Sequence, residues 1–400
     1  MLSLTLTVSA QTELHHYLEI AAENNPGLKV KFNEYLAVLE KIPQVGTLPD
    51  PTIAFGYFIQ PVETRVGPQQ AKLSASQMFP WFGTLSARKN SIGALAKAKY
   101  EIVEEAKSKL YYDVKSTYYN LYFIHQAMNI TQKNIDILAS FKGLATIKLE
   151  SDIASSVDAY RIQMEMNDLK NQLALLEDNA QFLSVKFNSF LNIDVHSTIK
   201  IADTLTSIPL LDKPEALTNI RKNNHSLSAF DYQIEGLKHR QKLASKEGLP
   251  QFSIGIDYTF IGKGSSVASN AGQDAFMFPK IGLTIPLYRK KYKAKVQEVI
   301  YLQEAKKKDK INTENTLTVL FEKGWKDYQD AHRRTLLYQE QTKLAIKSLA
   351  ILESAYATND IEFEELLRME RKRLKYALEM QKATTDRAAA IAFIHYLQGQ

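Results

Sequence analysis

The chain has no cysteine, which excludes disulfide staples, thiolate metal sites and a lipidated N-terminal cysteine together. No run approaches the ~20 apolar residues that a helix needs to cross a bilayer. That test leaves β-strands open, because they cross with alternating side chains. Proline is missing from two long segments, 81–208 and 287–400, and all twelve prolines lie elsewhere. A proline inside a helix costs about 3 kcal/mol, so each gap permits long uninterrupted helices. Also missing are a nucleophile elbow, a phosphate-cradling glycine loop, a dinucleotide glycine fingerprint and a zinc-ligand pair on a helix. The expectation is a protein that is not an enzyme and carries no cofactor.

The formal charge of +6 raises the question of anionic partners. The basic residues alternate with acids along helical stretches, as in Lys306-Lys307-Lys308-Asp309-Lys310, which reads as a solvated helix face. No zinc-finger spacing or RNA-binding aromatic motif accompanies them, so no nucleic-acid partner is expected. His15-His16 is the only histidine pair, and the histidines show no metal-ligand spacing, so no metal site is expected. Residues 1–10 are apolar and end in Val8-Ser9-Ala10, like the tail of a signal peptide without its basic start. They read as the remnant of an export signal.

The chain divides into two corresponding halves, 11–208 and 209–400, offset by roughly 200 residues, a period far beyond solenoid repeats. Asn24-Asn25-Pro26 answers Asn223-Asn224-His225, and Leu48-Pro49 answers Leu249-Pro250. Period-two alternation follows in each half. Ile53, Phe55, Tyr57 and Ile59 oppose Thr52, Ala54, Gly56 and Gln60, and a weaker strand covers 72–79. Phe252, Ile254, Ile256, Tyr258 and Phe260 oppose Ser253, Gly255, Asp257 and Thr259; Ile281, Leu283, Ile285 and Leu287 oppose Lys280, Gly282 and Thr284. The strands are therefore placed at 52–60, 72–79, 252–260 and 277–287, joined within each half by polar loops, Pro61–Gln70 and Gly262–Asp274. Alternation fits a half-buried soluble sheet or a membrane strand. The aromatic faces favour the membrane, where an open four-stranded sheet would leave unsatisfied edges, so several chains would have to share one barrel.

Each strand pair leads into helix. Val103, Ala106, Leu110, Val114, Thr117, Leu121, Ile124 and Met128 recur every three or four residues, a narrow coiled-coil-like stripe. A helix from Trp81 to Lys148 would be roughly 100 Å long at about 1.5 Å per residue. Hairpins are expected over 82–191 and 289–397, with Tyr111, Tyr112, Tyr118, Tyr119 and Tyr122 as packing residues.

The ordered set of Asn-Asn-Pro, Leu48-Pro49-Asp50-Pro51, the strand-to-helix junctions Gln77-Met78-Phe79-Pro80-Trp81-Phe82-Gly83 and Ile285-Pro286-Leu287-Tyr288, and the helix turn around Tyr356–Leu367 resembles the TolC-like outer-membrane efflux proteins over residues 12–398. The resemblance implies a mainly α protein with a small β part. It also implies a homotrimer whose chains each give four strands to a twelve-stranded barrel in the bacterial outer membrane. A periplasmic helical tunnel would dock to an adaptor and an inner-membrane pump. Pro80, Trp81, Gly83 and Pro286 would mark the strand-to-helix junctions. The Gln77–Gly83 junction looks most like the branch associated with heavy-metal efflux. The alternative is a periplasmic coiled-coil adaptor or scaffold without a barrel.

In the family, acidic residues near the second-repeat helix turn ring the closed end of the tunnel. The resemblance puts Glu365 at one such position, with Arg368 where a second acid would stand. Asp158 and Arg161 form the parallel pair in the first half, and Asp360 lies in the turn itself. An acid and a base one helical turn apart can instead form a simple intrahelical ion pair. The polar strand positions Asp257, Thr259, Gln60 and Thr284 are expected to face the lumen.

Overall fold

The computed structural model describes residues 6–150, 156–205, 212–263, 273–358 and 361–400. Helices dominate, with one small antiparallel sheet. The helices are α1 (Leu6–Asn24), α2 (Pro26–Leu39), α3 (Lys41–Gly46), α4 (Thr84–Glu150), α5 (Ser156–Leu191), α6 (Lys213–Asn223), α7 (His225–Glu247), α8 (Arg289–Ala357) and α9 (Phe363–Leu397). The strands are β1 (Thr52–Tyr57), β2 (Glu63–Thr64), β3 (Gly67–Phe79), β4 (Gln251–Ile261) and β5 (Ala275–Thr284). α4 and α8 run unbroken for 67 and 69 residues, the two proline-free stretches put to use. Of residues 1–10, the first five lie outside the described residues and the rest begin α1.

Contacts divide the chain into two units: Met1–Lys31 with Val103–His225 and Thr313–Gln400, and Phe32–Ile102 with Ser226–Asn312. The first is helical. Its stripe on α4 is buried at Val103, Leu110, Val114, Thr117, Leu121 and Ile124. One core gathers Tyr17, Tyr118, Leu121, Phe187 and Leu191, with the Tyr17 and Phe187 rings edge-on at 5.1 Å. Tyr118, Tyr119 and Tyr122 are buried and Tyr111 and Tyr112 half-buried, so the tyrosines pack helices. Their hydroxyls still find partners. The Ala202 and Lys200 amides donate to Tyr118 and Tyr17 at 3.0 and 2.9 Å.

The two Asn-Asn motifs make the same contact. Asn25 Nδ2 donates to the Phe190 carbonyl at 3.0 Å, in the last turn of α5. Asn224 Nδ2 donates to the Leu397 carbonyl at 3.0 Å, the last residue of α9. Each satisfies a carbonyl that a helix C-terminus leaves without an intrahelical partner.

The second unit holds the sheet, in the order β1-β3-β4-β5, with β2 paired to the start of β3. β4 and the start of β5 fall within two residues of the sequence expectation, and three other strand bounds differ by more. The stretch 61–70, expected as a plain loop, contains a small hairpin in which Glu63 faces Pro68 and Thr64 faces Gly67. Thr64 Oγ1 donates to the Gly67 carbonyl at 2.7 Å, and this extends β3 back to Gly67. β1 stops at Tyr57, leaving Gln60 outside the ladder, as the chain approaches Pro61. β5 stops at Thr284 because its partner Gln251 is the first residue of β4, so Ile285–Leu287 have nothing to pair with.

Candidate functional site

Register places every alternating position on one of two faces. Ile53, Phe55, Leu73, Ala75, Phe252, Ile254, Ile256, Ile281 and Leu283 share one face across the four strands. Thr52, Ala54, Gly56, Ser74, Ser76, Ser253, Gly255, Gly282 and Thr284 share the other. The apolar face is open: Ile53, Phe55, Ile281 and Leu283 are 73, 68, 72 and 54% exposed. A soluble domain would cover such a surface, since a contiguous apolar patch in water marks an interaction or membrane site. Among the described residues no helix is long and apolar enough to cross a membrane.

The opposite face is lined mostly by small side chains, with Met78 and Met277 among them, and carries one charge cluster. Lys72, Asp257 and Lys280 are the charged residues of β1, β3, β4 and β5. They come from three neighbouring strands and meet. Asp257 is 4% exposed and accepts from Lys72 Nζ at 2.8 Å and from Lys280 Nζ at 3.2 Å. A bulge between Gly255 and Asp257 shifts the β4–β5 register beside this cluster. Thr259 faces Lys72 across the ladder, and Thr284 lies on the same face.

The strand-to-helix junction is a compact turn. Trp81 stacks on Phe252 with ring centroids 5.8 Å apart. Gly83 sits at φ +77°, a left-handed conformation that a side chain disfavours. There the chain turns from Phe79-Pro80 into α4, and the Ala87 amide bonds the Gly83 carbonyl at 3.0 Å. Lys246 Nζ donates to the Phe82 carbonyl at 2.9 Å. Pro286 is buried in the corresponding turn after β5.

The helix ends form the second cluster. The end of α4, the start of α5, the end of α8 and the start of α9 share a core built on Ala145, Ile162, Tyr356, Phe363, Leu366 and Leu367. Lys148 donates to the Tyr356 carbonyl and lies 4.0 Å from the centroid of its ring. Around this core the expected charged residues pair off. Glu365 is bonded by Arg368 one turn on, and Asp158 meets Arg161 at 3.6 Å, so the simple intrahelical pairing is present in both helices. Arg161 also reaches Glu364 of α9 at 3.8 Å, and Arg371 reaches Glu165 of α5 at 2.8 Å. These two bridges join the hairpins and were not anticipated. Asp360 lies outside the described residues.

Burial pushes the Asp158 carboxyl above its ordinary range; Arg161 opposes this while Glu362 and Glu364 add to it. The Tyr356 hydroxyl is raised by burial and by Asp158, and it has no hydrogen-bond partner among the described residues. Further along the same helices, Glu370 is 2% exposed. It accepts from Asn134 Nδ2 of α4 at 2.6 Å and from Arg373 Nε at 2.9 Å. Sequence reasoning missed this network. Its one legible signal was Glu370 and Arg373 at a spacing that shares a helix face.

The fold is shared with solved outer-membrane channels. The outer-membrane channel OprN superposes with a TM-score of 0.77 at 15% identity, covering 99% of this chain and 92% of that one. VceC of Vibrio cholerae gives 0.79 at 13% identity, with 98% of each chain covered. The CmeC outer-membrane channel of Campylobacter jejuni gives 0.78 at 12%, covering 97% and 85%. In sequence, the chain is 20% identical over 235 residues to the toxin and drug export protein A of Aggregatibacter actinomycetemcomitans. That match takes in 56% of this chain, which spans about half, 48%, of the relative's length. No family model matches the sequence.

Proposed function

We propose that the chain is one subunit of an outer-membrane efflux channel in a bacterial tripartite assembly. Three copies would each contribute β1, β3, β4 and β5 to a twelve-stranded barrel. The helical hairpins of the two halves, 11–208 and 209–400, would build a periplasmic tunnel that meets an adaptor and an inner-membrane pump. The protein performs no chemistry in this reading; small molecules or ions pass through it, driven by the pump. A heavy-metal cargo has only the Gln77–Gly83 junction in its favour, while the curated relative is named for toxin and drug export.

One observation carries the reading. A four-stranded sheet whose two edges are unpaired among the described residues exposes a largely apolar face and gathers its charged side chains on the other. In hydrocarbon such edges must be paired, and closure by further copies pairs them. The matched Asn25 and Asn224 contacts support the two-repeat plan.

The helix-end cluster is the candidate aperture. Its interhelical bridges, Arg161–Glu364 and Arg371–Glu165, would have to part for the hairpins to separate, and Glu365 with Arg368 would border the opening. Replacing Glu365 with alanine should raise single-channel conductance or lower cation selectivity.

Fractionation tests the central reading. Expressed behind an export signal, the chain should partition with the outer membrane, need detergent for extraction and migrate as a trimer. A monodisperse monomer in the aqueous fraction would instead support the soluble adaptor.

A further inference from the structure

The cluster on the small-residue face has a composition that pairing alone does not explain. One aspartate would hold one lysine, and here it holds two. The lysines come from β3 and β5, on either side of β4, and no other charged residue lies on the four long strands. Asp257 is almost wholly covered, whereas the Lys72 and Lys280 side chains remain 39% and 49% exposed. The carboxylate is spent inside the cluster, and a surplus unit of positive charge stands at the surface. Around it Ser74, Ser76, Gly255 and Gly282 are short; Met277, opposite Asp257, is the one long neighbour and is uncharged, so no side chain there offsets the surplus.

We infer that Lys72, Asp257 and Lys280 form a selectivity belt that favours anions in the strand-built part of the pore. This inference rests on the channel reading, in which the small-residue face lines water and the cluster is repeated once per subunit. Each copy then contributes one uncompensated positive charge to a ring of lumen charge, the arrangement by which pores select ions of opposite sign. At the helix ends, by contrast, Glu365 and Asp158 each already have an arginine, so those acids present no matching surplus. The permeant class the belt would favour is the small anion, or an organic cargo bearing a carboxylate, sulfate or phosphate.

The test is the reversal potential of the purified protein in planar bilayers under a potassium chloride gradient. Lys72→Gln and Lys280→Gln are measured separately, because each removes the surplus charge and leaves Asp257 with one lysine. Lys280→Arg serves as the charge-keeping control. Each glutamine variant should lower the chloride-to-potassium permeability ratio by about twofold at 0.1 M salt and by less at 1 M, where the screening length falls to about 3 Å. The arginine variant should match the unaltered protein. Conducting variants with an unchanged ratio would overturn the belt and leave the channel intact, with the cluster reduced to a pin for strand register. Absence of any conductance steps from the unaltered protein would overturn the channel reading, and the belt with it.

Discussion

Replacing Arg373 with methionine should loosen the contact between α4 and α9 by a calculable amount. The Glu370 side chain is 3% exposed, and two nitrogens of the Arg373 guanidinium bond its carboxylate. Asn134 supplies the remaining bond from the other helix. Removing one partner of a buried ion pair costs about 3–5 kcal/mol, because the other charge is left without compensation. The Asn134 bond survives the substitution and Arg373 is itself 26% exposed, which favours the lower end, about 3 kcal/mol. Hydrogen exchange reads this locally. Amides of α4 around Asn134 and of α9 around Glu370 should exchange roughly a hundredfold faster, at about 1.4 kcal/mol per factor of ten. A second change, Glu370→Gln, removes the stranded charge while keeping a group that Asn134 can bond. It should restore most of the protection lost in the Arg373→Met background. Protection within about threefold of the original in Arg373→Met, or no recovery in the double variant, would refute the claim that a buried charge network ties these helices together.

Two further outcomes follow from local geometry. Gly324 in α8 has Phe393 Cδ1 where a Cβ would stand 2.9 Å away. Gly324→Ala should therefore lower the thermal midpoint, the crowding of about 1–3 kcal/mol exceeding the gain of up to about 1 kcal/mol in helix propensity. At Asp158 the folded carboxyl titrates above its ordinary value of 3.8, so the folded chain takes up a proton at higher pH than the unfolded chain does. The stability of this site therefore rises as pH falls through the folded value and is lost as pH rises. Asp158→Asn should be the more stable form near neutrality, with its advantage shrinking towards pH 3.8 in thermal melts; an advantage that grew on acidification would contradict this.

The long helices were legible because proline leaves an unambiguous gap, and the strands because Phe252 to Phe260 and Ile281 to Leu287 alternate without interruption. What escaped was set by pairing across the sheet. β5 ends at Thr284 only because β4 begins at Gln251, and β3 begins at Gly67 only because Thr64 closes a small hairpin on it. The charged residues at the helix ends were found by resemblance and helical spacing, which correctly offered Glu365–Arg368 and Asp158–Arg161 as pairs within one helix. Spacing says nothing about a partner on another helix, so Arg161–Glu364, Arg371–Glu165 and Asn134–Glu370 could not be read in advance. The same limit hid the meeting of Lys72, Asp257 and Lys280, which lie far apart in sequence and adjoin only through register.

The absence of cysteine also permits the most direct test of the central claim, that one face of this sheet meets lipid and the other water. Single cysteines can be placed along β1 and β5, at Ile53, Ala54, Phe55, Gly56, Ile281, Gly282, Leu283 and Thr284, in an otherwise thiol-free chain reconstituted in vesicles. An environment-sensitive label at Ile53, Phe55, Ile281 and Leu283 should be quenched by lipid-borne quenchers. The thiols at Ala54, Gly56, Gly282 and Thr284 should react with a membrane-impermeant maleimide. A strict period of two along both strands is the predicted result. Uniform reaction with the soluble reagent at all eight positions, without quenching from the lipid, would contradict it.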